Sequence, residues 1–183
     1  LFLDDDTVIL QQDFLSTLLR EFDERPSSDA LIPHGQASFA LIEGRYDYHE
    51  PFFMTSRCMA YRRQVLEDLG GFVSDIIGQE DVEFVTRFYM AGKAVGLAAN
   101  LNYYHPPLLV PNYRKPQAVG QSFYRLKKRY PLAIWLILLM NCMRHAPLLL
   151  LPWKRSREAG RFGYGFLLGV CRGIRCRENL TYT

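Results

Sequence analysis

Three apolar residues, Leu1-Phe2-Leu3, run directly into three carboxylates, Asp4-Asp5-Asp6. A short apolar run predicts a buried strand. In open α/β sheets, ligands gather just beyond the carboxyl ends of such strands. If the extended geometry continues, Asp4 and Asp6 point to one side and Asp5 to the other. Two converging carboxylates repel each other unless a cation or a proton lies between them. All-oxygen ligands suit magnesium, manganese or calcium. Asp is equally at home in turns and helix caps, so the run by itself leaves a metal site and a plain turn both open.

At 183 residues and 49% hydrophobic, the chain is large enough for one core and an appendage. Its first residues already read as a strand whose edges need neighbours. The expectation is therefore the later part of a larger protein, and the start says nothing about targeting. Cys58, Cys142, Cys171 and Cys176 form no C-x-x-C pair, which argues against a zinc site or a disulfide framework.

The net charge of +3 conceals a division. Residues 1–113 carry 8 Lys and Arg against 17 Asp and Glu, a net of −9, whereas from Arg114 onward 14 basic residues face 2 acidic ones, a net of +12. A boundary near Pro111 to Pro116 follows, with an acidic domain over 1–112 and a basic, apolar tail over 113–183. An acidic body suits cation chemistry, and a basic apolar tail suits an anionic surface.

Phe14, Leu15, Leu18, Leu19 and Phe22 recur at helical spacing, with Asp13 as N-cap and Pro26 as stop. Ala30 to Ile32, Ser38 to Ile42 and Cys58 to Tyr61 predict short strands, and Gly44 to Phe53 reads as irregular. Arg62 to Leu69 predicts a helix closed by Gly70, after which Gly71-Phe72 opens a loop reaching Gly78.

Gly78-Gln79-Glu80-Asp81 opens a second helix, whose apolar face is Val82, Val85, Phe88 and Tyr89 and whose end is Ala91-Gly92. Acids in a first helical turn complement the helix dipole, so capping alone accounts for them. A strand from Ala94 to Ala98 leads to Tyr103-Tyr104-His105-Pro106-Pro107, with His105 expected in the loop beyond it.

The order of these parts resembles the family 2 glycosyltransferases of the GT-A fold over roughly residues 1 to 110. The matching parts are an apolar strand ending in D-D-D, a Gly70-Gly71-Phe72 loop, G-x-E-D opening a helix, and Tyr-His-Pro. The resemblance implies an α/β fold: an incomplete GT-A mixed sheet flanked by helices, followed by a helical tail. It implies an inverting, metal-dependent transfer of a sugar from a nucleotide-diphosphate sugar to a hydroxyl. Asp4, Asp6 and His105 would hold a divalent metal, Mn2+ or Mg2+, with the imidazole tilting the choice toward manganese. Asp81 would be the base that takes the acceptor's proton. Glu80, Gly71, Phe72 and Asp5 would contribute to substrate binding. In many relatives an acid soon follows the Gly-Phe pair, whereas here Val73-Ser74 intervene before Asp75. The first strands of the fold, which hold the base and ribose in relatives, are missing from this chain, so it is expected to be inactive alone.

In the tail, Leu132 to Met143 is nearly all apolar, Arg144-His145 interrupts, and Ala146 to Trp153 is apolar again but contains Pro147 and Pro152. Neither run reaches the roughly 20 residues of a spanning helix. Lys127-Lys128-Arg129 and Lys154-Arg155-Ser156-Arg157 flank them. Helices lying in the cytoplasmic interface of a membrane are expected, with Trp135 and Trp153 in the acyl boundary. A soluble hairpin packed on the catalytic domain is the alternative. Arg161 to Arg177 interleaves aromatics with Gly and Arg, but no RNA-binding motif accompanies it, so no nucleic-acid partner is expected. The acceptor is expected to be a glycan or lipid-linked molecule of bacterial surface-glycan synthesis. The competing reading is a non-catalytic, membrane-associated or anion-binding module whose acids are structural.

Overall fold

Strand residues that alternate in sequence feed two separate cores. In β3 (Ala30–Phe39), Leu31 packs on one face of the sheet, and Ala30 and Ile32 on the other. In β5 (Cys58–Tyr61), Cys58 and Ala60 join Leu31, while Met59 and Tyr61 join Ile32. A sheet buried on both faces requires helices on both. Phe14 and Leu18 of α1 (Phe14–Glu24) cover the first face. Val65 of α2 (Arg63–Leu69) with Phe84 and Phe88 of α3 (Glu80–Met90) covers the second.

The computed structural model describes residues 1–39, 42–48, 58–106, 112–144 and 146–175. Among them, six strands form one mixed sheet in the order β1-β5-β3-β6-β2, with β4 (Ile42–Tyr48) paired to β3. β3 and β6 (Val95–His105) run parallel, and the other pairs are antiparallel. The parallel register shifts between Pro33 and His34. A proline lacks the amide hydrogen that a central strand donates, and the ladder is irregular at that point.

Several local signals act as expected. α1 starts after Asp13 and ends before Pro26, α2 closes on Gly70 at φ 72°, and Gly92 follows α3 at φ 68°. Asp13 itself makes no side-chain bond to the helix backbone; its carboxylate instead accepts a hydrogen bond from Thr17 Oγ1 at 3.0 Å.

Other expectations are corrected. Ser38 to Phe39 continues β3 rather than starting a strand, and residues 44–48 of the expected irregular segment belong to β4. Residues 49–53 lie outside the described residues. Leu15 and Leu19 are exposed, so the buried stripe of α1 is narrower than its apolar one. On α3 the buried face is Glu83, Phe84 and Phe88, while Tyr89 is exposed. β6 does not end at Ala98 but runs on to His105, which is therefore the last residue of a strand rather than part of a loop.

By packing, the chain divides into two units: Leu1–Phe72 with Asp81–Pro107, and Val73–Glu80 with Leu108–Thr183. The second is helical, with α4 (Arg114–Phe123), α5 (Leu132–Met143) and α6 (Lys154–Arg175) joined by 3-10 turns. Its core joins Ile76, Val119, Phe123, Leu126, Trp135, Cys142, Phe166 and Val170. α4 and α6 approach so closely that a Cβ on Gly120 would fall on the Phe166 carbonyl, and one on Gly169 on the Gln117 carbonyl. That contact gives two of the tail's glycines a packing role. Trp135, expected at a membrane boundary, is instead buried in this core at 7% exposure. No helix among the described residues is long and apolar enough to cross a membrane.

Candidate metal centre

A turn and a strand register assemble the site. β1 (Phe2–Leu3) delivers the chain to Asp4, and the Thr7 N–H donates to the Asp4 carbonyl at 3.1 Å, closing a turn over Asp5 and Asp6. β2 (Val8–Ile9) then pairs antiparallel with β6, Val8 opposite Tyr104 and Ile9 opposite Tyr103. Continued by one position, that register carries His105 to the turn. The pairing is reinforced where the Leu10 N–H donates to the Asn102 carbonyl and the Asn102 N–H to Gln11 Oε1. Asp4 and Asp6 therefore converge through a turn, not through the strand alternation expected from an extended run.

His105 Nε2 lies 3.0 Å from Asp6 Oδ1 and 3.4 Å from Asp4 Oδ2. The imidazole is buried, whereas the two carboxylates are partly open to solvent. His105 Nδ1 sits 2.6 Å from the Pro106 carbonyl. A carbonyl only accepts, so Nδ1 carries the hydrogen and Nε2 directs its lone pair, or a second proton, at the two acids. A backbone carbonyl holding one ring nitrogen is how a metal-binding imidazole is oriented.

The donor set fits a divalent cation. One ligand atom from each of Asp4, Asp6 and His105 lies within 4.8 Å of the other two. Neighbouring ligands of an octahedral ion at about 2.1 Å are about 3 Å apart, close to the 3.0 and 3.4 Å that separate His105 Nε2 from the two carboxylates. Two carboxylates and one imidazole suit manganese or magnesium chemistry.

The remaining candidates are distributed around this group. Asp5 stands exposed in the same turn and outside the three-ligand cluster. Asp81 lies in the first turn of α3, where its Oδ1 accepts the Val82 N–H at 2.7 Å. Burial first, and then the negative charge of Asp81, push the Tyr61 hydroxyl above its ordinary pKa, which puts Asp81 within electrostatic reach of β5. Tyr61 packs edge-on against Phe2, two residues before Asp4. Glu80 is the first residue of α3, half-buried, and packs with the helical unit. Gly71, at φ 68°, accepts a hydrogen bond from Arg87 Nη2 at 2.7 Å. The Phe72 ring sits 4.9 Å from Phe2 and 4.8 Å from Phe84, within the aromatic core beneath α3.

Two contributors escaped the sequence reading. The Pro106 carbonyl orients His105, and the only signal for it was the His-Pro dipeptide. Glu83 and Arg87 brace the Gly70-Gly71 turn from α3; an acid and an arginine four residues apart were the available signal.

The mixed sheet flanked by helices is consistent with part of a nucleotide-sugar transferase fold. A solved structure of this kind is the mannosyltransferase PcManGT from Pyrobaculum calidifontis, determined in complex with GDP-Man and Mn2+; the TM-score is 0.55 at 14% identity. The match covers 97% of this chain and 62% of that one, so the chain spans less than two thirds of its structural neighbour. No family model matches the sequence, and no curated protein is significantly similar to it.

Proposed function

We propose that this chain is the later part of a metal-dependent, inverting glycosyltransferase of the family 2 type, moving a sugar from a nucleotide-diphosphate sugar to an acceptor hydroxyl. The observation that carries this reading is the convergence of Asp4, Asp6 and His105 at one end of a mixed sheet resembling part of a nucleotide-sugar transferase. A divalent cation held there would neutralise the negative charge that develops on a departing nucleoside diphosphate.

Each residue then has a task. Asp4 and Asp6 supply the anionic oxygens, and His105, fixed by Pro106, supplies the nitrogen. Asp81 accepts the acceptor's proton as the new bond to the sugar forms. A single base without a covalent nucleophile gives inversion at the anomeric carbon. Glu80 and Asp5 bind substrate hydroxyls, and Gly71 and Phe72 shape the acceptor side.

The acceptor in this reading is a glycan or lipid-linked molecule of bacterial surface-glycan synthesis, met at the cytoplasmic face of the inner membrane. The tail supports that reading with residues the sequence suggested, except Trp135, which is buried. Leu132, Leu136, Ile137 and Met140 are exposed on one face of α5, followed by exposed Leu150 and Trp153. Lys127, Lys128, Arg129, Arg144, Lys154 and Arg157 flank them, all exposed, as interfacial helices on anionic lipid require.

The test is nucleoside-diphosphate release by the full-length protein across a panel of GDP-, UDP- and dTDP-sugars, with polyprenyl phosphate as acceptor probe and with Mn2+, Mg2+ or EDTA. Activity that needs metal, vanishes in Asp6→Ala, and falls in Asp81→Asn with donor binding intact is the expected result. Absence of both binding and turnover for every donor would leave the non-catalytic membrane module as the better reading.

A further inference from the structure

β6 carries three residues that its parallel partner does not match. Pro33 stands opposite Ala98 and His34 opposite Asn102, so one step on β3 spans four on β6, and Ala99, Asn100 and Leu101 have no counterpart. Inserting an odd number of residues turns the strand over. Ala98, Leu101 and Tyr103 consequently all join the core covered by α1, although regular alternation from Ala98 would send Leu101 and Tyr103 to the other face. The bulge also decides what reaches the metal centre. Counted on from Ala98 without it, the residue opposite Ala37 would be Asn102; with it, that residue is His105. Three residues of extended chain measure about 10 Å, several times the length of a metal–ligand bond.

The bulge is tied before it, within it and after it. Glu21, in the last turns of α1, is 2% exposed, and a glutamate is seldom buried to that extent unless it is paired. Its Oε1 accepts a hydrogen bond from Asn100 Nδ2 at 3.1 Å, in the middle of the bulge. Its Oε2 lies 2.9 Å from Arg25 Nη2 but takes no hydrogen bond among the described residues, so charge holds that oxygen. Arg25 Nη1 in turn donates to the Leu97 carbonyl, just before the bulge. Beyond it, the Asn102 N–H donates to Gln11 Oε1 at 3.0 Å, and Asn102 Oδ1 lies 3.0 Å from His34 Nδ1. We propose, on the reading of Asp4, Asp6 and His105 as metal ligands, that Glu21, Arg25 and Asn100 are positioning residues for the metal centre: they hold the bulge against α1 and so fix the register at which His105 meets the two acids. None of the three is a ligand. Each acts through the backbone of β6, as groups behind a metal ligand do when they orient it.

The experiment uses the full-length protein and four variants. Asn100→Ala removes the tie at an exposed position, where misfolding is not expected. Glu21→Leu removes it together with the counter-charge of Arg25, whereas Glu21→Gln keeps an acceptor for Asn100. Lys93→Ala breaks an ion pair with Asp68 just ahead of β6 and is the variant weakened elsewhere. Calorimetric titration with Mn2+ should give a dissociation constant raised about tenfold or more in Asn100→Ala and Glu21→Leu, largely restored in Glu21→Gln and unchanged in Lys93→Ala. Without metal, amide hydrogen exchange at Asn102 to His105 should quicken in Asn100→Ala and Glu21→Leu, while Ala30 to Ile32 of β3 stay protected. Wild-type Mn2+ affinity in both of those variants overturns the positioning role. So does a loss of affinity that merely follows the loss of melting temperature, Lys93→Ala included. Unchanged exchange at Asn102 to His105 overturns the hold on the bulge whether or not metal binds. A wild-type protein that binds no Mn2+ overturns the metal centre itself, and the positioning role with it.

Discussion

Glu83 and Arg87 stand one helical turn apart on α3 and form an ion pair in which Glu83 is fully buried, with Arg87 Nη2 2.7 Å from Glu83 Oε2. The same guanidinium donates to the backbone oxygens of Leu69 and Gly71, so one side chain ties a buried acid to the turn that closes α2.

Glu83→Ala leaves that guanidinium without its counter-charge, and removing one member of a buried pair costs about 3–5 kcal/mol. Glu83→Gln keeps an acceptor and costs less. Urea titration of both variants measures the difference, and a loss below about 1 kcal/mol for Glu83→Ala would mean that the pair is not an anchor.

The metal centre makes a prediction independent of catalysis. Calorimetric titration with Mn2+ should find one site in the wild-type protein, lost in His105→Ala and in Asp6→Ala. Asp5→Asn, altered in the same turn but outside the cluster, should retain it. Equal affinity in all four proteins would remove Asp6 and His105 as ligands.

Alkaline stability should decline earlier than the surface charges alone dictate. Burial pushes the Cys58 thiol from 9.0 up to about 12, and burial also raises Tyr61. In the folded state both groups keep their protons while the unfolded chain releases them. The stabilisation from Cys58 is therefore complete below pH 9.0 and is lost as pH climbs toward about 12. Each such group steepens the fall by up to about 1.4 kcal/mol per pH unit. Unfolding of Cys58→Ala across this window should show a shallower slope than wild type, and parallel slopes would refute the assignment.

The two tryptophans separate core from surface, since Trp135 is buried and Trp153 is 66% exposed. Vesicles containing anionic lipid should shift the emission of wild-type protein and of Trp135→Phe to shorter wavelength, and leave Trp153→Phe unchanged. The shift should weaken in high salt and in Ile137→Asp/Met140→Asp. A protein whose emission ignores the vesicles does not use this face on lipid.

The parts of the structure legible in the sequence are those set by neighbouring residues. Pro26, Gly70 and Gly92 end their helices wherever those helices pack, because the signal is local to the backbone. β3 was not legible as one strand, since Pro33, His34 and Gly35 interrupt any alternation and only pairing to β6 holds the segment extended. The buried face of α3 was misplaced because Glu83 reads as solvated until Arg87 and the Leu69 and Gly71 carbonyls are seen around it. For the site, residue chemistry singled out Asp4 and Asp6, and the resemblance added His105. Their meeting depends on the register of Val8 with Tyr104, a long-range pairing that no local pattern encodes.

That register has a thermodynamic corollary. Asp6 and His105 are separated by about a hundred residues, and an unfolded chain seldom brings such distant groups together. An ion that needs both recognises the folded sheet and not the random chain. At a hundred times its dissociation constant, such an ion would add about 2.7 kcal/mol to the free energy of unfolding. The metal would then act as a fastener between the Asp4–Thr7 turn and the end of β6, and the melting temperature would become a gauge of cation supply.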